Sequence, residues 1–217
     1  MALAKVNGYD LISGSVLMPQ QGAWSADLVV DAPNPGVVLG GVGIDLGGQV
    51  ALKGTTTSAG SLAGRVSLRV VGGAGKLNAI LKPKGYRAIP LRNPLQDLMA
   101  DSGETLSGAV NPGVLATILA RWTRFLESTA QGLDDLADRA GATWRVLYDG
   151  TVWMGTDSYP AVNVAADLLS GDPHLGRVEL GVETPQLVPG VSFLGRNVSQ
   201  VQHVISEGSI RTVVTFA

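Results

Sequence analysis

The strongest constraint on this chain lies in its C-terminal stretch, Pro189 to Ala217, which reads PGVSFLGRNVSQVQHVISEGSIRTVVTFA. Two β-rich runs, Val198 to Ile205 and Ser209 to Phe216, flank the turn Ser206-Glu207-Gly208. Side chains of an extended strand alternate between faces, so Ile210, Thr212, Val214 and Phe216 share one face and Arg211, Val213 and Thr215 the other. The pattern predicts a half-buried hairpin strand. A chain that stops inside a strand leaves that strand to be pinned by neighbours, from the same chain or from another subunit.

Composition points the same way. The 217 residues can form one large domain or two small ones, and a chain of this size buries roughly 70% of its unfolded surface. Apolar residues make up 45% and charged ones only 16%, with 29 glycines and 11 prolines. This mixture favours many short strands joined by turns, hence a β-dominated α+β fold. With no cysteine, disulfides, thiolate zinc sites and cysteine nucleophiles are excluded together. The N-terminus MALAKVNGYD has no apolar leader, and no run of about 18 apolar residues occurs. Neither secretion nor a membrane partner is signalled, and the Asn197-Val198-Ser199 sequon reads as chance. Charge is uneven: residues 1 to 93 hold 9 Lys+Arg against 4 Asp+Glu, residues 94 to 217 hold 7 against 14. Opposite balances help two segments pack or assemble, while no dense basic run suggests sequence-reading of nucleic acid.

Taken in order, the chain predicts a β domain over residues 1–92, a helical segment over 93–141 and a second β domain over 142–217. Ser13 to Met18 and Ala26 to Asp31 form a hairpin, and Arg65 to Val71 alternates with Val66, Leu68 and Val70 inward. Val37 to Leu39, Ile44 to Leu46, Val50 to Leu52 and Lys76 to Leu81 are further strand candidates; Thr55 to Gly64 reads as turn. The loop Gly72-Gly73-Ala74-Gly75 lacks the third glycine of a dinucleotide fingerprint and the Gly-Lys-Ser/Thr of a P-loop, so it reads as a turn or bulge. Asn93-Pro94 starts a helix ending near Gly103, and Asn111-Pro112 repeats the signal, with Leu115, Ile118, Leu119, Trp122 and Leu126 predicted on one helical stripe. Gly132 to Ala140 is a third helix closed by Gly141. Thr143 to Tyr148 and Thr151 to Gly155 then flank the Asp149-Gly150 turn of a hairpin, and Leu175 to Val182 and Val191 to Leu194 lead into the closing one.

Catalytic constellations are thin. The two histidines, His174 and His203, lie far apart in sequence, and no Gly-x-Ser-x-Gly or HExxH motif occurs. No cofactor motif is present. Of the carboxylates that could pair on a glycosidic bond, Asp149 is explained by its turn, Asp101 by the end of a helix and Glu179 by a strand's polar face, which leaves Glu104 without an evident role. Trp144 and Trp153 are the best sugar-stacking candidates, and core packing explains them as well.

Three blocks in fixed order resemble the baseplate hub proteins of tailed bacteriophages and related contractile or gene-transfer particles. They are Leu95 to Glu104, the hairpin Trp144-Arg-Val-Leu-Tyr-Asp-Gly150, and Val201 to Thr212 with its Val-Gln-His-Val-Ile pattern. The resemblance implies two tube-like β-barrel or sandwich domains with a helical segment between them. It implies a non-enzymatic homotrimer in the virion tail baseplate, assembled in the host cytoplasm, that adapts the hexameric tail tube to the trimeric central spike. Its implied partners are the tail tube protein, the spike, other baseplate proteins and viral DNA that passes through the ring without specific binding. Known hubs are usually longer than this chain. On this reading His203, Arg211, Thr212 and Phe216 are expected at subunit contacts, His203 and Arg211 packing or pairing across them. The alternatives to the hub are a carbohydrate- or receptor-binding tail module and a peptidoglycan-cleaving tail enzyme whose activity would be lost in Glu104→Gln.

Overall fold

A computed structural model of the chain describes residues 4–47, 51–165, 167–172, 176–181, 187–206 and 208–217. The expected roles of His174 and of the turns at Gly48, Pro173, Pro185 and Glu207 lie outside the described residues. In chain order the first half holds β1 (Ala4–Val6), β2 (Tyr9–Pro19), β3 (Ser25–Val30), a 3-10 turn (Pro35–Val38), β4 (Gly40–Leu46), β5 (Ala51–Leu62) and β6 (Arg65–Gly72). The middle holds β7 (Ile80–Leu81), β8 (Lys84–Pro90), α1 (Arg92–Ser102), α2 (Pro112–Ala116), β9 (Ile118–Arg124), β10 (Glu127–Ser128) and α3 (Thr129–Ala140). The remainder holds β11 (Thr143–Val146), β12 (Val152–Gly155), β13 (Leu168–Asp172), β14 (Arg177–Leu180), β15 (Ser192–Phe193), β16 (Arg196–Ser206) and β17 (Ser209–Phe216).

Alternation builds the first core. Ala26, Leu28 and Val30 of β3 stand opposite Val70, Leu68 and Val66 of β6, and all six are buried. The order β1-β4-β5-β6-β3-β2 closes on itself because β2 also pairs β1 through Tyr9 and Asp10. The result is a six-stranded barrel, whose closure removes the free edges of its members. Close approach needs glycine at Gly14, where a Cβ would collide with the backbone of Asp27 and Leu28 on β3.

The barrel does not stop at β2. Beyond the stretch paired with β1, the same edge of β2 takes up β16, from Gln200↔Pro19 to Ile205↔Gly14. The sheet continues through β17 and β14 to β13, with β15 beside β16. The closing hairpin is thus pinned on both sides within its own chain, and Ile210, Thr212, Val214 and Phe216 are buried as their alternation predicts.

The helices obey local signals. Gly103 closes α1 in the left-handed region at φ +81°, its N–H donating to Met99 O, while Leu95, Leu98 and Met99 pack inward. Ser128 and Gln131 form a capping box at α3, and Leu133, Leu136 and Ala137 face the core.

The helix expected over Leu115 to Leu126 is corrected: helix α2 ends at Ala116, and Ile118 to Arg124 form strand β9 paired with β8. Leu119 and Trp122, three residues apart, suit a helical stripe, and the contact that overrides it comes from far along the chain, where Tyr86 of β8 stacks on Trp122 with ring centres 5.3 Å apart. Leu126, predicted on the apolar stripe, is exposed. Thr55 to Gly64 is also corrected, since β5 runs to Leu62 and its small residues pair with β6 as far as Leu62↔Arg65. Val37 and Val38 belong to the 3-10 turn capped by Asn34, and the strand expected from Lys76 to Leu81 keeps only its last two residues.

Candidate functional site

Of the four residues expected at subunit contacts, two meet inside the chain. His203 and Thr212 face one another across β16 and β17, are buried, and join through Nδ1 and Oγ1 at 3.0 Å. Burial pushes the His203 pKa down to about 4, so the ring is neutral at pH 7. His203 also lies opposite Val16 of β2, at the seam where the barrel meets the second half. Phe216 is buried with the Arg196 guanidinium 4.9 Å from its ring centre. Arg211 alone of the four is exposed. It donates to Glu179 Oε1 at 3.1 Å, a contact within the chain.

The carboxylates are individually committed. Glu104 is buried, and its two oxygens accept from Ala74 N at 2.9 Å and Lys76 N at 2.7 Å. The loop Gly72 to Gly75 is therefore an anion-holding nest whose anion is the chain's own side chain. Gly73, at φ +79°, has no room for a Cβ, which would lie 2.6 Å from Glu104 Oε2. Asp101 accepts from Arg124 at 2.6 Å. Asp149 accepts from Thr151 N and Oγ1, contacts that hold its carboxyl below the usual carboxylate range. Glu179 is held by Arg211 and Ser170. Trp144 is buried with its Nε1 on Asp134. Trp153 donates to Ala109 O and lies 4.3 Å beneath Arg145. Among the described residues no group of three or more His, Asp or Glu is placed to hold a metal ion.

One polar cluster carries no sequence signal. Arg145 of β11 forms a two-pronged pair with Asp157, Nη2 to Oδ1 at 2.5 Å and Nη1 to Oδ2 at 3.1 Å, and Nη1 also donates to Gln20 O. Gln20 Nε2 reaches Asp157 Oδ2 at 3.2 Å and Tyr159 Oη at 2.7 Å. The cluster ties the β2–β3 turn to the β11–β12 hairpin, next to the backbone link in which Gly22 N–H donates to Trp144 O and Val146 N–H to Gly22 O. A strand arginine beside two apolar residues gives no hint that its partner lies in an irregular loop.

What the arrangement offers is an edge. β13 ends the eleven-stranded sheet and carries Leu168 and Leu169, both exposed. Among the described residues no strand pairs with the far edge of β13, and an apolar edge strand with unpaired N–H and C=O groups is a site for strand addition. No helix among the described residues is long and apolar enough to cross a membrane.

No protein-family model and no curated protein sequence matches the chain. Solved structures do. A tail protein of prophage MuSo2 from Shewanella oneidensis superposes with a TM-score of 0.74 at 11% identity, over 99% of this chain and 95% of that one. The tail protein from Neisseria meningitidis MC58 gives 0.68 at 14% identity, over 99% and 96%. An E. coli component of the type VI secretion system, itself structurally similar to the T4 bacteriophage tail proteins gp27 and gp5, gives 0.63 at 10% identity, over 99% and 76%. At such identities the likeness establishes architecture, and the chain has the fold of phage tail proteins over nearly its whole length.

Proposed function

We propose that this chain is a structural protein of a phage-type tail, a baseplate hub that forms a homotrimeric ring between the hexameric tail tube and a trimeric spike. The observation that carries the reading is the end-to-end likeness to tail proteins, over 99% of the chain. Two physical features support it. The six-stranded barrel and the β13–β17 half share one sheet through β2 and β16, so a single chain holds two β units side by side, and three such chains give six units around a ring. The sheet then ends on the apolar edge of β13, which a neighbouring subunit would cover.

In this reading residues 1–92 and 142–217 are the two tube-like units and residues 93–141 join them. Partners are the tube protein, the spike and other baseplate proteins, in the virion; viral DNA passes through without specific contacts. Catalysis is not required, and Glu104, the carboxylate an enzyme reading needs, has both oxygens engaged by backbone N–H groups. The test is reconstitution with the tube and spike proteins of the same particle, imaged by negative-stain electron microscopy. Threefold rings seated between tube and spike support the hub. A chain that joins neither and binds glycans as a monomer overturns it in favour of a binding module.

A further inference from the structure

The ribbon of β8 and β9 pairs with no other described strand, and its two faces are treated differently by the rest of the chain. The inner face packs toward α1 and α3: Trp122 is buried with Nε1 on Asp135, Lys84 pairs with Asp97 and Arg124 with Asp101. Each inner cation has a carboxylate. On the outer face Arg87 and Arg121 stand directly opposite one another, both are exposed, and among the described residues no side-chain hydrogen bond or ion pair engages either guanidinium.

Directly opposite strand residues have Cβ atoms about 5 Å apart, and like charges there destabilise the ladder. A non-glycine residue at positive φ, Ala88 at +51°, adjoins Arg87, while the ladder keeps its register from Arg87↔Arg121 to Ile89↔Leu119. Exposed apolar side chains lie near the pair in sequence: Ile118 at the start of β9, about 10 Å away at strand spacing, and Phe125 and Leu126 just beyond its end.

We propose that this outer face docks an acidic, partly apolar segment of a partner protein, whose carboxylates accept from Arg87 and Arg121 while its apolar side chains cover Ile118 and Phe125. Charge complementarity selects the occupant, because two unneutralised guanidiniums side by side are matched by two carboxylates. Arginine beside exposed aromatic and aliphatic residues is the composition of a protein interface. Nucleic acid would require a longer basic stripe, and the chain carries a net charge of −2. The proposal does not rest on the ring reading.

The test uses the full chain with a synthetic peptide that alternates Asp and Glu with Phe and Leu, a lysine version of the same peptide, and a short duplex DNA. The parent is expected to bind the acidic peptide in preference to the other two, and the double variant Arg87→Gln/Arg121→Gln to lose at least about tenfold in affinity. The variant's urea midpoint should equal or exceed the parent's, because removing the repulsion costs the fold nothing. The proposal is overturned by absent acidic-peptide binding in the parent, by unchanged peptide affinity in the variant, by a lowered urea midpoint or by tighter binding to DNA. Loss of self-association in the variant by light scattering also overturns it, since the occupant would then be a second copy.

Discussion

Replacing Arg145 by alanine should be among the most damaging single changes outside the apolar core. The Arg145 side chain is 14% exposed and that of Asp157 only 5%. Removing the guanidinium leaves a nearly dry carboxylate with Gln20 Nε2, at 3.2 Å, as its remaining side-chain donor. Stranding one member of a buried pair costs about 3–5 kcal/mol, and loss of the cation over the Trp153 ring adds about 0.5–1 kcal/mol. The expected total, about 4 kcal/mol, is a large share of the 5–15 kcal/mol typical of a folded domain. Equilibrium urea unfolding followed by tryptophan fluorescence measures it, and a cycle of the single variants Arg145→Met and Asp157→Leu with the double variant Arg145→Met/Asp157→Leu isolates the coupling. The double variant should lose less than either single one, because no uncompensated charge remains. A loss below about 1 kcal/mol for Arg145→Ala, or strictly additive effects, would refute the argument and show a solvated pair that does not fasten the β2–β3 turn to the hairpin.

Other expectations follow from single sites. Glu104→Gln should cost about 2 kcal/mol, since one of the two carboxylate oxygens that accept from Ala74 N and Lys76 N becomes an amide NH2 that cannot accept and leaves one backbone N–H unpaired, and should speed hydrogen exchange at Ala74 or Lys76; unchanged exchange would mean the glycine loop holds its shape alone. His203 binds its proton more weakly folded, near pH 4, than at its ordinary value near 6.5, so the fold takes up fewer protons than the unfolded chain over that window. Its contribution is complete above about pH 6.5 and lost as pH falls toward 4, on the order of 3 kcal/mol in all, and His203→Gln should flatten that part of a stability–pH curve. Deleting Ser209 to Ala217 removes β17 from between β16 and β14 and should abolish folding by circular dichroism; a folded truncation would contradict the role given to this strand.

Much of the architecture was legible where signals are local. Alternation located β6 and the closing hairpin, the Asp149-Gly150 turn located β11 and β12, and Gly103 and Gly141 marked helix ends. What failed depended on distant partners. β9 carries a helix-compatible spacing that β8 overrides by stacking Tyr86 on Trp122, and β5 extends through small residues because β6 lies beside them. The site was legible only in part. His203, Thr212 and Phe216 were singled out, but strand alternation does not tell whether a buried face meets its own chain or another, and the structure turns all three inward. Glu104 acquired a role only when the fold brought it to the glycine loop, and Arg145 with Asp157 left no trace in the sequence.

The most direct test of the central claim is the mass of the assembled species in native mass spectrometry. The account predicts a complex of three copies of the 22.4 kDa chain, dissociated by charged substitutions at Leu168 and Leu169 on the open edge of β13. A strictly monomeric chain at every concentration, alone and with its tube and spike proteins, would contradict it.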